Sequence, residues 1–280
     1  MIRVGFVDYY LDEWHANNYP RLLCDRSGGQ VKVCAAYGRI DSPLGGMTNR
    51  EWGERNGIPV YESAEEVVAA SDVLIVLSPD NPEMHEVLCE VPLSSGKLTY
   101  IDKTFAPDKE TAERIFAMAD RAGAKCYSSS ALGFAEELDQ IDMSEIEVIY
   151  SEGPGKLSDY IIHQIEPVVR LINVPAKRVM YTGNREHPAA IVEFSNGKAC
   201  HMVQRNDKTW SHRLLLVNAC NGAQEVIISS DYFGRFIDGL IRFFQTGEIQ
   251  VAHERTVTAI AVREALLKAS EQPFCWVSIL

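Results

Sequence analysis

The sequence predicts an α/β protein in two parts. Residues 1–126 read as an N-terminal Rossmann-like domain, a doubly wound parallel sheet. Residues 127–280 read as a C-terminal α+β domain with a mostly antiparallel, open sheet. Three observations predict this. In the first half, short and almost continuous apolar runs alternate with helical segments, as parallel strands covered on both faces require. In the second half, apolar runs are divided by Ser-Asn-Gly and Cys-Asn-Gly, which are hairpin turn signals. No internal repeat or low-complexity linker separates the halves.

Taken in order, IRVGFV (2–7) is an apolar run of strand length, and residues 14–23 carry a helical pattern. VKVCAAYG (31–38) is a second strand, and a Gly/Pro-rich loop at 41–46 leads to a helix over 49–56. IPVYES (58–63) gives a short strand, and 64–70 a short acidic helix. DVLIVLSP (72–79) is a long apolar strand, with a helix over 82–90. KLTYIDK (97–103) precedes an amphipathic helix, 109–122, stopped by Gly123. AKCYSSS (124–130) begins another strand. In the second half a helix over 156–171 is followed by strands in 177–183, 189–197, 198–204, 213–222 and 224–230. Phe233, Phe236, Ile237, Leu240, Ile241 and Phe244 fall at helical spacing within 232–245 and are expected in the core. A last helix, 254–270, leads to a strand-like end.

Composition narrows the function. A chain of 280 residues, 46% apolar and 24% charged, buries a sizeable core. The net charge of -12 repels phosphate backbones and anionic lipid, so neither nucleic acid nor membrane is expected as a partner. The apolar run Val73 to Leu77 is far too short to span a bilayer. The N-terminus reads as a strand rather than a signal peptide. Seven scattered cysteines without a CxxC fit free thiols in a reducing compartment, so a cytoplasmic protein is expected.

Five segments carry candidate chemistry. GFVDYYLDEWH (5–15) stands where a dinucleotide-binding chain places its glycine-rich phosphate loop. Asp8, Tyr10 and Glu13 occupy the three glycine positions, with Tyr9 in the same turn. A carboxylate facing a phosphate at a few ångströms costs on the order of 1–4 kcal/mol at moderate dielectric. The plainer reading has Asp12 and Glu13 complementing a helix dipole from a solvated face. The second strand ends Tyr37-Gly38-Arg39 with no ribose-binding acid, and Arg39 either meets a 2′-phosphate or is a surface arginine. SPDNPEMH (78–85) follows the long strand; Ser78 and Pro79 face a ligand there, and His85 is a ligand contact or a helix-surface residue. In YIDKTFAPD (100–108), Asp102 and Lys103 stand at a strand's carboxyl edge, where a lysine hydrogen-bonds a substrate oxygen and shuttles a proton, or lies exposed in a loop. In GPGKLSDYIIHQIEP (153–167), Asp159 and His163 are four apart and share a helix face. Such a pair orients an imidazole for acid–base work, or is a structural hydrogen bond. The spacing of His163, His187 and His201 demands no metal, and none is expected.

These segments, in this order, resemble the Gfo/Idh/MocA family of NAD(P)-dependent oxidoreductases. DVLIVLSP with His85 resembles the family's fourth-strand segment. SGKLTYIDKTFAPD (95–108) is similar to its Glu-Lys-Pro signature, with Lys103 on the catalytic lysine. GPGKLSDYIIH (153–163) is similar to its Asp-x-Gly-x-His helix, and the stretch from 233 to 279 to its closing helices and final strand. The resemblance implies NAD or NADP as cofactor and a sugar, inositol or related polyol as substrate. It implies Lys103, Asp159 and His163 as catalytic residues, with Asp159 orienting substrate or His163. It places Asp8, Tyr9, Tyr10, Tyr37, Arg39, Ser78, Pro79, His85 and Asp102 at the cofactor. It also implies a homodimer or homotetramer through the C-terminal sheet. The chain departs from the pattern at the glycine-less loop, at Asp102 and Thr104 in place of Glu and Pro, and at Pro154 and Ile161 in place of glycines. The alternatives are a non-redox binding or regulatory member that has lost the dinucleotide, and a metal-assisted lyase or hydrolase using Asp159 and His163.

Overall fold

The first apolar run forms β1 (Ile2–Asp8), buried without interruption from Val4 to Asp8, as a strand covered on both faces must be. The computed structural model describes residues 1–207, 209–218 and 222–279. They fall into two units, Met1–Ser129 with Phe236–His253, and Ser130–Arg235 with Glu254–Leu280.

In the first unit β1 leads to α1 (Trp14–Arg26), β2 (Val31–Gly38), α2 (Asn49–Asn56), α3 (Ala64–Ala70) and β3 (Val73–Val76). A 3₁₀ turn, Pro82–Met84, then enters α4 (His85–Ser94), β4 (Thr99–Ile101), α5 (Lys109–Ala122) and β5 (Cys126–Tyr127). The five strands are all parallel, in the order β2-β1-β3-β4-β5. The order reverses between β1 and β3, and the carboxyl ends of those strands flank the crevice where such sheets take ligands. The strand expected at 58–63 is reduced to one bridge, Ala36 to Val60. Local signals set the helices. Thr48 and Glu51 form a capping box on α2. Asp108 caps α5, and Gly123 ends it at φ 66°, a left-handed conformation that favours glycine.

The second unit contains β6 (Ile146–Pro154), α6 (Leu157–Tyr160), α7 (Ile162–Ile172), β7 (Ala176–Tyr181), β8 (Ala189–Phe194) and β9 (Ala199–Arg205). They are followed by β10 (His212–Asn218), β11 (Gly222–Ile228), α8 (Tyr232–Thr246), α9 (His253–Ser270) and β12 (Trp276–Ser278). The sheet order is β11-β10-β6-β9-β8-β7-β12. All pairs are antiparallel except β6 with β9. β6 is a central strand that the sequence reading left unassigned. Its run IEVIYSE alternates only imperfectly, and the Gly153-Pro154-Gly155 that ends it reads first as the entry to the following helix. The expected Ser195-Asn196-Gly197 turn joins β8 to β9, with the Gly197 N–H 3.0 Å from the Phe194 carbonyl. Cys220 and Asn221 of the second turn lie outside the described residues. One face of the sheet buries Ala190, Val192, Phe194, Cys200 and Met202. The register aligns Leu215, Tyr150, His201, Ile191, Met180 and Trp276 in one row across six strands of the other face. Tyr150 and Leu215 in that row are 45% and 37% exposed, so the row is open and mostly apolar, and the Glu152–Arg213 and Glu193–Arg178 ion pairs flank it on the same face. The six described cysteines are free, and no helix among the described residues is long and apolar enough to cross a membrane.

α8 carries the chain back to the first unit, which takes Phe236 onward. Phe236 lies 5.5 Å from the Tyr100 ring and 6.2 Å from Tyr19, and Phe243 lies 5.0 Å from Tyr127. His253 stacks on Phe116 at 3.8 Å and its Nε2 lies 2.9 Å from the Cys126 carbonyl. Late residues thus fill the core of the parallel sheet; helical spacing predicted that Phe236 is buried, but not that it packs on this sheet. Phe236→Ala is expected to cost about 3–5 kcal/mol of unfolding free energy in a urea titration. A loss below about 1 kcal/mol would show that the aromatic cluster stands without it.

Candidate functional site

The loop after β1 is closed by its own side chains. The Asp8 carboxyl is fully buried. Its Oδ1 accepts the Tyr9 N–H at 2.7 Å, and its Oδ2 has no hydrogen-bond partner among the described residues. Burial first, then the nearby Glu13 and Asp102 carboxylates, pushes the Asp8 pKa well above the carboxylate range. The Asp8 and Tyr9 carbonyls accept the N–H groups of Arg39 and Ile40, tying this loop to the segment after β2. Tyr10 is buried with its ring edge-on to Tyr9 at 5.9 Å. Asn49 braces both segments: its Oδ1 accepts from Leu11 N, and its Nδ2 donates to the Gly38 and Ile40 carbonyls at 2.9 and 2.8 Å. Asp12 accepts from Asn17 Nδ2 at 3.0 Å and from Met47 N at 2.8 Å. A Cβ on Gly46 would stand 2.2 Å from that carboxylate, so the approach requires glycine.

Glu13 is the N-cap of α1. Its carboxylate accepts the N–H groups of both Ala16 and His15, the latter at 2.7 Å. Side-chain capping satisfies donors that a helix start leaves open. Only 8% of Glu13 is exposed, so this acid does not act from a solvated face. The His15 Nδ1 lies 3.0 Å from Glu13 Oε2 and 3.5 Å from Asp102 Oδ2. Burial pulls the His15 pKa down, but the Asp102 and Glu13 carboxylates outweigh it and hold it above the usual histidine value.

The neighbouring strand ends supply the rest of this crevice. Ser78, after β3, sits at φ 111°, a conformation a non-glycine residue adopts only under constraint, and its Oγ donates to the Asn81 carbonyl at 3.0 Å. Pro79 is buried, and its carbonyl accepts from Lys103 Nζ at 3.4 Å. Lys103 is 8% exposed, with Asp80 4.0 Å from its ammonium group. The peptide joining Lys103 to Thr104 is cis. Asp102 is buried beside the Tyr100 hydroxyl, 3.3 Å away. His85, expected at a ligand or on a helix surface, is instead fully buried, and burial lowers its pKa. Its Nδ1 lies 3.0 and 3.1 Å from the Thr104 and Phe105 carbonyls, so it holds the segment that follows Lys103. Tyr37 and Arg39 border an open cleft of about 700 Å³, together with Asn49, Arg50, Tyr61 and Glu62.

In the second unit the single helix expected over 156–171 is broken at Ile161 into α6 and α7. The Asp159 carboxylate lies 2.5 Å from Ser158 Oγ and 3.4 Å from Lys156 Nζ. The His163 Nδ1 lies 2.7 Å from Ser130 Oγ. Ser130 is fully buried; its N–H reaches Glu166 at 2.5 Å and its Oγ accepts from Leu132 N at 3.2 Å. A buried chain of amides fixes α7 on the sheet: Ser151 Oγ donates to Gln164 Oε1 at 2.9 Å, Gln164 Nε2 to Gln204 Oε1 at 2.6 Å, and Gln204 Nε2 to the Pro154 carbonyl at 2.5 Å. Among the described residues no three histidines, cysteines or carboxylates are grouped to hold a metal.

Sequence reasoning thus found Asp8, Ser78, Pro79, Asp102 and Lys103 at one crevice of the first unit, and Asp159 and His163 around one helix break of the second. It missed His15 and Asn49, which brace the loop, and Ser130, which engages His163. Ser130 carried the one usable signal, a serine at the start of a turn following a strand.

No family model and no curated protein matches this sequence. Solved structures do match over nearly the whole chain. The myo-inositol dehydrogenase of Lactobacillus casei, in complex with NAD(H) and myo-inositol, aligns at TM-score 0.81 and 12% identity over 100% of this chain and 97% of that one. The scyllo-inositol dehydrogenase of the same organism, with NAD(H) and scyllo-inositol bound, aligns at 0.79 and 16% over 99% of both chains. The myo-inositol 2-dehydrogenase of Lactobacillus plantarum aligns at 0.80 and 13% over 100% and 99%. This chain has the fold of those dehydrogenases. That bears out the fold class expected from the sequence, a parallel Rossmann-like sheet with a second, mostly antiparallel sheet.

The fold makes a dinucleotide the cofactor to test against these residues. Tyr37 and Arg39 line the open cleft that follows β2. At the start of α1, two N–H groups converge on one anion, as a diphosphate requires, and the Glu13 carboxylate stands in for it. The donor set therefore fits a diphosphate once Glu13 has left.

The buried Asp8 gives a pH signature. A folded-state pKa above the unfolded value, about 3.9, adds stability below that value and loses it as pH rises through the folded pKa. Asp8→Asn removes this dependence. Relative to wild type, the variant is expected to gain melting temperature as pH is raised above about 4 toward the folded-state pKa. Parallel melting curves for the two proteins across that range would show that Asp8 ionises without penalty.

Proposed function

We propose that this protein is an oxidoreductase that exchanges hydride with a sugar, inositol or related polyol, using NAD or NADP. The observation that carries the reading is the end-to-end fold likeness to inositol dehydrogenases, combined with a lysine held almost fully buried at the carboxyl edge of β4. Lys103 hydrogen-bonds the reacting oxygen of the substrate, and its charge lowers the pKa of that hydroxyl. His163 takes the hydroxyl proton as hydride leaves the carbon, and returns it in the reverse direction. Its Nδ1 is engaged by Ser130, so Nε2 is the nitrogen assigned to the transfer. Asp159 binds substrate hydroxyls. Asp102 and His85 act indirectly, by fixing the backbone on either side of Lys103.

The open face of the second unit's sheet supports a homodimer or homotetramer. Its row from Leu215 to Trp276 is apolar at both ends, and exposed apolar patches mark association sites. The free thiols of the described cysteines support a cytoplasmic location.

Fluorescence titration with NADH and NADPH tests the cofactor; a flat response up to millimolar concentration removes the reading. With inositols and aldoses as substrates, Lys103→Met and His163→Asn are each expected to lower kcat by about 10²–10⁴-fold. Retained turnover in either variant would take that residue out of the chemistry. Tyr150→Lys combined with Leu215→Lys is expected to give a monomer in sedimentation velocity. An unchanged assembly would exclude this face as the interface.

A further inference from the structure

Glu13 occupies the place an incoming diphosphate needs. Both N–H groups that converge at the start of α1, those of His15 and Ala16, are already bonded to its carboxylate. The next, that of Asn17, is bonded to the Glu13 carbonyl at 3.0 Å. The side chain is not a loose surface acid. It is 8% exposed, and His15 Nδ1 lies 3.0 Å from its Oε2. The loop that carries it is fixed on both sides, by Asp12 on Met47 N and by Asn49 on Leu11 N. Asp8 and Asp102 lie near it, so a phosphate entering beside a retained Glu13 would meet the Glu13 and Asp102 carboxylates, with the Asp8 carboxyl beside them, against His15 and Lys103.

We propose that Glu13 is a tethered competitor of the cofactor's diphosphate, and the residue that sets how tightly this chain holds a dinucleotide. The cofactor binds only when the carboxylate swings off α1, and the energy of that cap is subtracted from its affinity. The competition is local to the diphosphate. It acts on NADH, NADPH and ADP, which carry one, and not on adenosine, which does not. The inference rests on the oxidoreductase reading for the identity of the ligand.

The test compares Glu13→Asp with Glu13→Asn, which differ in charge and hardly in size, both being good N-caps. Glu13→Ser serves as a second neutral cap. Folding is checked by thermal melting, and binding by calorimetry and NADH fluorescence. Wild type and Glu13→Asp are expected to bind NADH and ADP weakly, and Glu13→Asn and Glu13→Ser at least ten-fold more tightly, with adenosine unchanged. NADH affinities within two-fold across all four proteins would overturn the proposal. So would an equal gain for adenosine, which would mean a loosened fold. The outcome is separable from the oxidoreductase reading. Tighter NADH binding by the neutral variants without turnover of any polyol keeps this inference and sinks that reading. Polyol turnover with equal affinities does the reverse.

Discussion

One carboxylate on two backbone N–H groups, Glu13 at the start of α1, organises the crevice of the first unit. Burying a charge is costly unless it is bonded, and Glu13 is bonded to the helix and to His15. His15 in turn faces Asp102, next to Lys103. The cap, the imidazole and the β4 edge therefore form one chain of contacts, and its geometry is inherited by Lys103. Asp8 is buried with an unbonded oxygen, and its burial among the Glu13 and Asp102 carboxylates shifts it toward the neutral form. The polar crowding that replaces the glycines is thus a built structure and not mere loss of a motif.

The second unit solves a related problem with amides. α7 is held on the sheet at one height, and that sets the position of His163. Ser151, Gln164 and Gln204 pin it by side-chain hydrogen bonds that end on the Pro154 carbonyl. Buried polar chains of this kind specify one packing, since a shift by one residue would orphan several groups at once. Gly153 belongs to the same arrangement: a Cβ there would press on Gln164 and on His212.

Elements with strong local signals were legible. The helices Asn49–Asn56, Ala64–Ala70 and Lys109–Ala122 lie where their caps and periodicity put them. β6 was not, because a central strand of a mixed sheet is defined by partners far along the chain, β9 and β10. Lys103 was legible from its place after an apolar strand. His85 was not, because burial under residues 104 and 105 depends on tertiary packing that no spacing records. The role of Glu13 was half legible. An acid beside a helix start predicts a favourable dipole interaction, but not that the acid is buried and doubly bonded.

The aromatic core of the parallel sheet has a consequence for biosynthesis. Its strands end at Tyr127, but Phe236, Phe243 and His253, which pack on Tyr19, Tyr100, Tyr127 and Phe116, arrive more than a hundred residues later. A nascent chain that has emerged only through β5 therefore exposes an unfilled apolar face. The ribosome must deliver Phe236, Phe243 and His253 before that face is filled, and through that interval the incomplete sheet exposes the kind of apolar surface that chaperones bind.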